Sequence, residues 1–150
     1  MANYSSLLLS LFTRDLNKLK DEVNLYSTET NIWKVESNIS NSAGNLTLHL
    51  IGNLNHFVGA VLGQSGYVRQ RDLEFSKKDI PRAILLADID RTIEVLTTVL
   101  SKLSDADLDV EYAFAKPDKL DSAGQFLLNL TAHLAYHLGQ INYHRRLLDK

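Results

Sequence analysis

The sequence predicts an all-α protein, a four-helix bundle with longer crossover connections. Four stretches of its 150 residues place apolar side chains three and four positions apart, the repeat of a helix with one buried face. The chain has only two prolines, one at the start of such a stretch and one in a connection. A chain of this length suits one domain, residues 1–150, and can bury about two-thirds of its unfolded surface.

The first two predicted helices differ in their expected surroundings. Residues 5–26 alternate apolar and charged positions, as an amphipathic helix does. Residues 27–43 contain several turn-forming side chains and are predicted to cross the bundle as a connection. The second helix, residues 44–62, holds no charged residue. Such a helix is expected to be buried on most sides or to lie between subunits.

The third predicted helix follows a highly charged segment, RQRDLEFSKKDIPR. The charge density of this segment favours a solvated loop, so its side chains are expected in water rather than in a site. The helix itself is predicted over residues 80–103. Asp79 is its expected N-cap, with Pro81 in the first turn.

The fourth predicted helix follows a second long connection, residues 104–124. A short extended piece is expected within it, at residues 110–114. Asp121 or Ser122 then caps the fourth helix, which ends near Leu148. Gly139 falls inside this helix, at a cost of roughly 1 kcal/mol relative to alanine.

Composition excludes several classes of function. The chain has no cysteine, which rules out disulfides, thiolate metal sites and a cysteine nucleophile. A net charge of −2 argues against a nucleic-acid partner. No signal peptide and no membrane-spanning stretch is apparent. A cytoplasmic protein without a membrane partner is the expectation.

The histidines are the least evenly distributed residues of the chain. All five fall in the second and fourth predicted helices: His49 and His56 in one, and His133, His137 and His144 in the other. Residues four or seven apart share a helix face. A bundle that packs these two helices together therefore gathers three to five imidazoles.

Three imidazoles can hold a divalent metal. Imidazole suits zinc, nickel, iron and copper, and three such ligands leave a position open for water or substrate. A di-iron bundle is excluded because neither helix has an internal glutamate. The zinc-protease motif is excluded because Leu134, not glutamate, follows His133. The alternative is that the histidines fill the core of an interaction module without any metal.

Three stretches of the chain resemble a known family: NLTLHLIGNLNHFVG, RQRDLEF and HLAYHLGQINYHRRLL. With the helix count, they resemble one uncharacterised branch of the DinB/YfiT-like metalloenzyme superfamily. The resemblance implies a bundle of that type with a divalent metal, nickel or zinc, with iron or manganese as alternatives. It implies His49, His133 and His137 as ligands. His49 is favoured over His56 because the family's second-helix ligand lies near the start of its motif.

The same resemblance implies two functions. The best-understood members transfer low-molecular-weight thiols, and others are known only as stress-induced proteins. A metal-dependent thiol transferase or hydrolase with a small-molecule substrate is therefore expected, as a homodimer in common with many members. The alternative is a non-catalytic protein that binds a metal or a small molecule. No catalytic base can be assigned from the sequence.

Four further side chains are candidates around this site. His56 and His144 have no counterpart in the family's ligand set and are expected to support a ligand, face the substrate or fill the core. Gln140 lies near the ligand face of the fourth helix, and Asn53 is four residues after His49. Either amide could orient a ligand or be a hydrogen-bonded core residue.

Overall fold

The computed structural model of the chain describes residues 3–113 and 121–150. Its α-helices are α1 Tyr4–Leu25, α2 Ala43–Leu54, α3 Arg71–Ser76, α4 Arg82–Leu100, α5 Asp105–Leu108 and α6 Ala123–Leu148. A 3₁₀ helix, Glu29–Trp33, follows α1, and α2 continues as a π-helix, Asn55–Leu62. The four long helical segments form an all-α bundle, which confirms the predicted fold class.

Helix α2 is the most enclosed element of the bundle. It packs against α4 and α6, while α1 packs against the same two helices from its own side. Ten of the twelve residues of α2 are buried, which explains why the segment carries no charge. Although α2 is so apolar, no helix in the described part of the chain is both long and apolar enough to span a membrane.

The start of α4 differs from the prediction. The helix begins at Arg82, and Pro81 rather than Asp79 occupies the cap position, without a side-chain cap. Asp79 was the wrong residue because it lies further back, in a left-handed turn with φ of +54°. The free N–H of Arg82 instead donates to the carboxylate of Glu29 at 2.7 Å. A cap supplied by a distant segment leaves no local sequence signal.

The connections before α4 and α6 are partly as predicted. Residues 69–82 are not simply a solvated loop, because they contain α3 and Glu74 is only 6% exposed. In the second connection, Glu111 pairs with Ser122 in an isolated antiparallel bridge. Of the expected extended piece, residues 110–114, only Phe114 lies outside the described residues. Ser122 caps α6 as predicted, in a capping box with Gln125.

The C-terminal end of α6 is tied to the segment that follows α1. The carboxylate of Asp149 accepts hydrogen bonds from the backbone N–H of Ser27 at 2.6 Å and of Thr28 at 3.2 Å, and from the Asn31 amide at 2.9 Å. Burial acts to raise the pKa of Asp149, but these hydrogen bonds together outweigh it and lower the pKa to about 2. The ionised carboxylate therefore stabilises the folded chain.

Replacing Asp149 with asparagine should lower stability in a pH-dependent way. Because the pKa of Asp149 is lower in the folded than in the unfolded chain, the ionised carboxylate adds to the free energy of unfolding. This stabilisation is complete above the unfolded pKa of 3.8 and is lost as the pH falls through about 2. Denaturant unfolding at several pH values should show Asp149→Asn less stable than wild type at pH 7. The gap, which is the difference in unfolding free energy between the two proteins, should close between about pH 4 and 2. A gap that stays constant over this range would contradict the assigned role.

Candidate metal centre

Three histidines meet between α2 and α6. His133 Nε2 lies 3.2 Å from His49 Nε2 and 3.2 Å from His137 Nε2. One ring nitrogen from each residue falls within a group no more than 4.8 Å across. His49 is buried and the other two are half-buried. The structure thus brings together the three residues that the resemblance implied as ligands.

The two helices run antiparallel where they carry these residues. His49 near the middle of α2 faces His133 and His137, with ring centroids 5.1 and 5.2 Å apart. Further along the chain, Phe57 faces Phe126, with centroids 5.1 Å apart. The residue numbers of facing side chains therefore rise along α2 and its continuation while they fall along α6. The imidazoles and the aromatic pair form successive layers of one interface.

A carboxylate from α3 lies behind His49. Glu74 Oε1 is 3.0 Å from His49 Nδ1, and the guanidinium of Arg69 binds both carboxylate oxygens at 2.8 Å. A carboxylate can only accept, so Nδ1 of His49 carries the proton and Nε2 presents its lone pair to the cluster. Arg69 Nη2 also lies 3.3 Å from His49 Nδ1, but the shorter contact to Glu74 decides the tautomer.

Gly52 makes this approach of Glu74 possible. A Cβ atom built on Gly52 would overlap the Glu74 carboxylate. Any larger residue at this position would therefore displace the carboxylate or push α3 away from α2. The glycine is one turn beyond the middle of a buried helix, where its helix propensity alone would be unfavourable.

The other two imidazoles have different surroundings. His137 Nδ1 donates to Gln140 Oε1 at 2.7 Å, and the amide nitrogen of Gln140 in turn donates to the hydroxyl of Tyr136 at 3.4 Å. This pairing fixes Nε2 of His137 as the lone-pair nitrogen, as in His49. His133 Nδ1 is buried and has no hydrogen-bond partner among the described residues.

Burial favours the neutral form of two of the three imidazoles, His133 and His49. It lowers the pKa of His133 to about 4, with further contributions from His137 and His49. Burial also lowers the pKa of His49, although the bond to Glu74 acts in the opposite direction. If Nε2 of His133 carries a proton, it can donate to only one of its two neighbours. The lone pair of the other neighbour is then left without a donor. A proton on Nδ1 of His133 would instead leave three Nε2 lone pairs converging, and either arrangement favours a cation at the centre.

The spacing also fits a metal ion. Nitrogen ligands about 2.0–2.1 Å from a tetrahedral zinc ion lie about 3.3–3.4 Å from one another. The two Nε2 separations of 3.2 Å are close to that edge length. Converging nitrogens, with oxygen partners on the outer nitrogens of His49 and His137, are together typical of a histidine metal site.

The remaining two histidines are not part of this cluster. His144 uses both ring nitrogens elsewhere: Nδ1 accepts from the Tyr26 hydroxyl at 2.7 Å, and Nε2 donates to the Lys34 carbonyl at 2.9 Å. His56 lies against Phe57, with ring centroids 4.7 Å apart. Asn53 is buried, at 7% exposure.

A cavity of about 450 Å³ borders the cluster on the His137 side. Its walls include His137, Gln140 and the segment of residues 38–41, together with the exposed rings of Tyr136 and Tyr143. His144 also borders this cavity. A small molecule in this cavity would therefore lie against a side chain of the cluster.

Sequence reasoning missed Glu74 and Arg69. Both lie in a segment whose charge predicted full solvation, yet both are largely buried. A weak signal was present, because Leu73 and Phe75 flank Glu74 and the ring of Phe75 packs 5.0 Å from that of His49. Glu74 lies outside the two histidine-bearing helices, so the sequences of those helices give no sign of a carboxylate at the site.

Comparison with known families gives one match over nearly the whole chain. A model described as "Protein of unknown function (DUF1572)" matches residues 2–150. The chain belongs to this DUF1572 family. No curated protein matches it. Because the family description states no activity, the function of this DUF1572 protein has to be argued from the site itself.

Replacing Gly52 with alanine should displace Glu74 from His49. Overpacking of this kind costs about 1–3 kcal/mol of unfolding free energy, partly offset by the better helix propensity of alanine. The measurement is denaturant unfolding, with the His49 Nδ1 proton followed by NMR in ¹⁵N-histidine-labelled protein. The proton should lose its bond to Glu74.

The matched control is Gly139→Ala on α6, where an added Cβ meets nothing within 4 Å. This variant should be as stable as wild type or up to about 1 kcal/mol more stable. If Gly52→Ala and Gly139→Ala gain the same amount of stability, the absence of a side chain at Gly52 is not what makes room for Glu74.

Proposed function

We propose that this protein is a divalent-metal-dependent enzyme whose ion is held by His49, His133 and His137. The observation that carries the proposal is the convergence of three Nε2 atoms, with the outer nitrogens of two rings tied to oxygen acceptors. The resemblance to the DinB/YfiT-like superfamily supports it, and favours nickel or zinc as the ion.

When bound, such an ion would act as a Lewis acid that makes a thiol or a water molecule a better nucleophile near neutral pH. The protein's own contribution is orientation. Glu74 and Gln140 hold the rings of His49 and His137 in the tautomer that binds metals. Glu74 faces the outer nitrogen of His49, so it supports a ligand and does not act as a base on the substrate.

The substrate is a small molecule that occupies the cavity beside His137. Tyr136 and Tyr143 offer aromatic surfaces there, and the side chains of Asn38 and Asn41 offer hydrogen bonds. A substrate bound against them would present its reacting group to the metal. Transfer of a low-molecular-weight thiol and hydrolysis both fit this arrangement. A homodimer and a cytoplasmic location remain predictions from the sequence.

Metal binding should depend on His49 and not on His56. Protein purified without a histidine tag should contain about one nickel or zinc ion per chain by elemental analysis. His49→Ala and His137→Ala should weaken the affinity by more than the roughly 100-fold that loss of an outer partner costs. Competition with a chelator measures this.

His56→Ala is the matched control, since it removes an imidazole from the same helical segment outside the cluster. It should bind the ion as wild type does. Loss of metal in His56→Ala with retention in His49→Ala would reverse the ligand assignment. Wild-type protein that binds neither ion would exclude the metal centre.

The metal-loaded protein should turn over a small substrate. Thiol consumption is measured against a panel of electrophiles, and hydrolysis against a panel of small esters and amides. Activity should disappear in His137→Ala, and Tyr143→Ala should raise KM with less effect on kcat because it only contacts the substrate body. A fully loaded protein inactive on both panels would favour the non-catalytic alternative.

A further inference from the structure

Two buried polar atoms between α2 and α6 lack hydrogen-bond partners among the described residues. They are Oδ1 of Asn53 and Nδ1 of His133. Leaving such an atom unpaired costs about 1–3 kcal/mol, and native proteins contain only a few. A functional role for both side chains would explain why these two buried positions are polar and not apolar.

The register of the two helices places these residues on facing surfaces. Asn53 lies one turn beyond His49 and one turn before Phe57, on the face of α2 that meets α6. On α6, His133 lies between Phe126, which packs on Phe57, and His137, which packs on His49. By this register Asn53 lies next to the imidazole layer that contains His133, on the side toward the aromatic layer.

The chemistry of the two atoms is complementary once an ion is bound. A His133 that binds metal through Nε2 must carry its proton on Nδ1, which is then a donor. Oδ1 of Asn53 can only accept. The other two imidazoles already have oxygen acceptors on their outer nitrogens, Glu74 for His49 and Gln140 for His137. His133 is the one cluster member that lacks a partner of this kind in the described part of the chain.

We propose that Asn53 is the positioning residue for His133. Its Oδ1 accepts the Nδ1–H of His133 in the metal-loaded protein, either directly or through one buried water molecule. The inference rests on the proposed metal centre. It makes Asn53 the third oxygen acceptor for a ring nitrogen that points away from the ion, after Glu74 and Gln140. Asn53 thereby selects the tautomer of His133 that leaves Nε2 free for the ion.

Asn53→Leu tests this role because it keeps a similar side-chain size and removes the acceptor. The zinc dissociation constant, measured by chelator competition, should rise about 10- to 100-fold. The metal-free variant should unfold at the same or a higher denaturant concentration than wild type, since a buried unpaired group has been removed. Asn53→Asp, which retains an acceptor oxygen, is the matched control and should bind zinc within a few-fold of wild type.

A spectroscopic readout separates positioning from packing. In zinc-loaded protein labelled with ¹⁵N-histidine, the Nδ1–H of His133 should be protected from solvent exchange in wild type and in Asn53→Asp. It should exchange faster in Asn53→Leu. If Asn53→Leu fails to fold, Asn53→Ala serves instead, with the same expectations for zinc affinity and for exchange of the His133 Nδ1–H.

Three results would overturn the inference. In the first, wild type binds zinc, the dissociation constant of Asn53→Leu is within twofold of wild type, and the His133 Nδ1–H of the variant remains protected. The metal centre then stands and only the role of Asn53 fails. In the second, neither Asn53→Leu nor Asn53→Ala folds without metal, which makes Asn53 a structural residue. In the third, wild type does not bind zinc or nickel, so the proposed function itself fails.

Discussion

The hydrogen bond between His49 and Glu74 is the interaction on which the site depends. It joins α2 to α3, fixes the tautomer of a buried imidazole and turns its lone pair toward His133. Arg69 holds the carboxylate through both oxygens, and Gly52 leaves room for it against the helix. A short charged segment is thereby drawn into the bundle, where its charges are paired rather than solvated.

The burial of α2 explains why these groups interact strongly. Ten of the twelve residues of α2 are shielded from water by α4, α6 and the α3 segment. In that environment an unpaired polar atom is costly and a neutral imidazole is favoured over a charged one. The same burial that stabilises the bundle therefore favours the neutral form of His49 and His133 and holds them close together. The third imidazole, His137, borders the cavity described above.

Much of the fold and the centre of the site could be predicted from the sequence. Helical periodicity locates the four long helices, and the four-residue spacing of His133 and His137 places both on one face. Resemblance to a family selects His49 over His56. The partners of these residues could not be predicted in the same way. Glu74 and Glu29 act across long sequence separations, through contacts that only the packed helices create. Local charge density and capping preferences therefore gave wrong expectations for Glu74 and Asp79.

X-ray absorption spectroscopy of tag-free, metal-loaded protein tests the central claim most directly, because it reports the ligands of the ion itself. The account predicts three imidazole nitrogens at about 2.0–2.1 Å from zinc, with the remaining position filled by a light atom. His49→Ala should remove one imidazole from that set, whereas His56→Ala should leave all three. A spectrum with one imidazole or none, or one that His49→Ala leaves unchanged, would contradict the account.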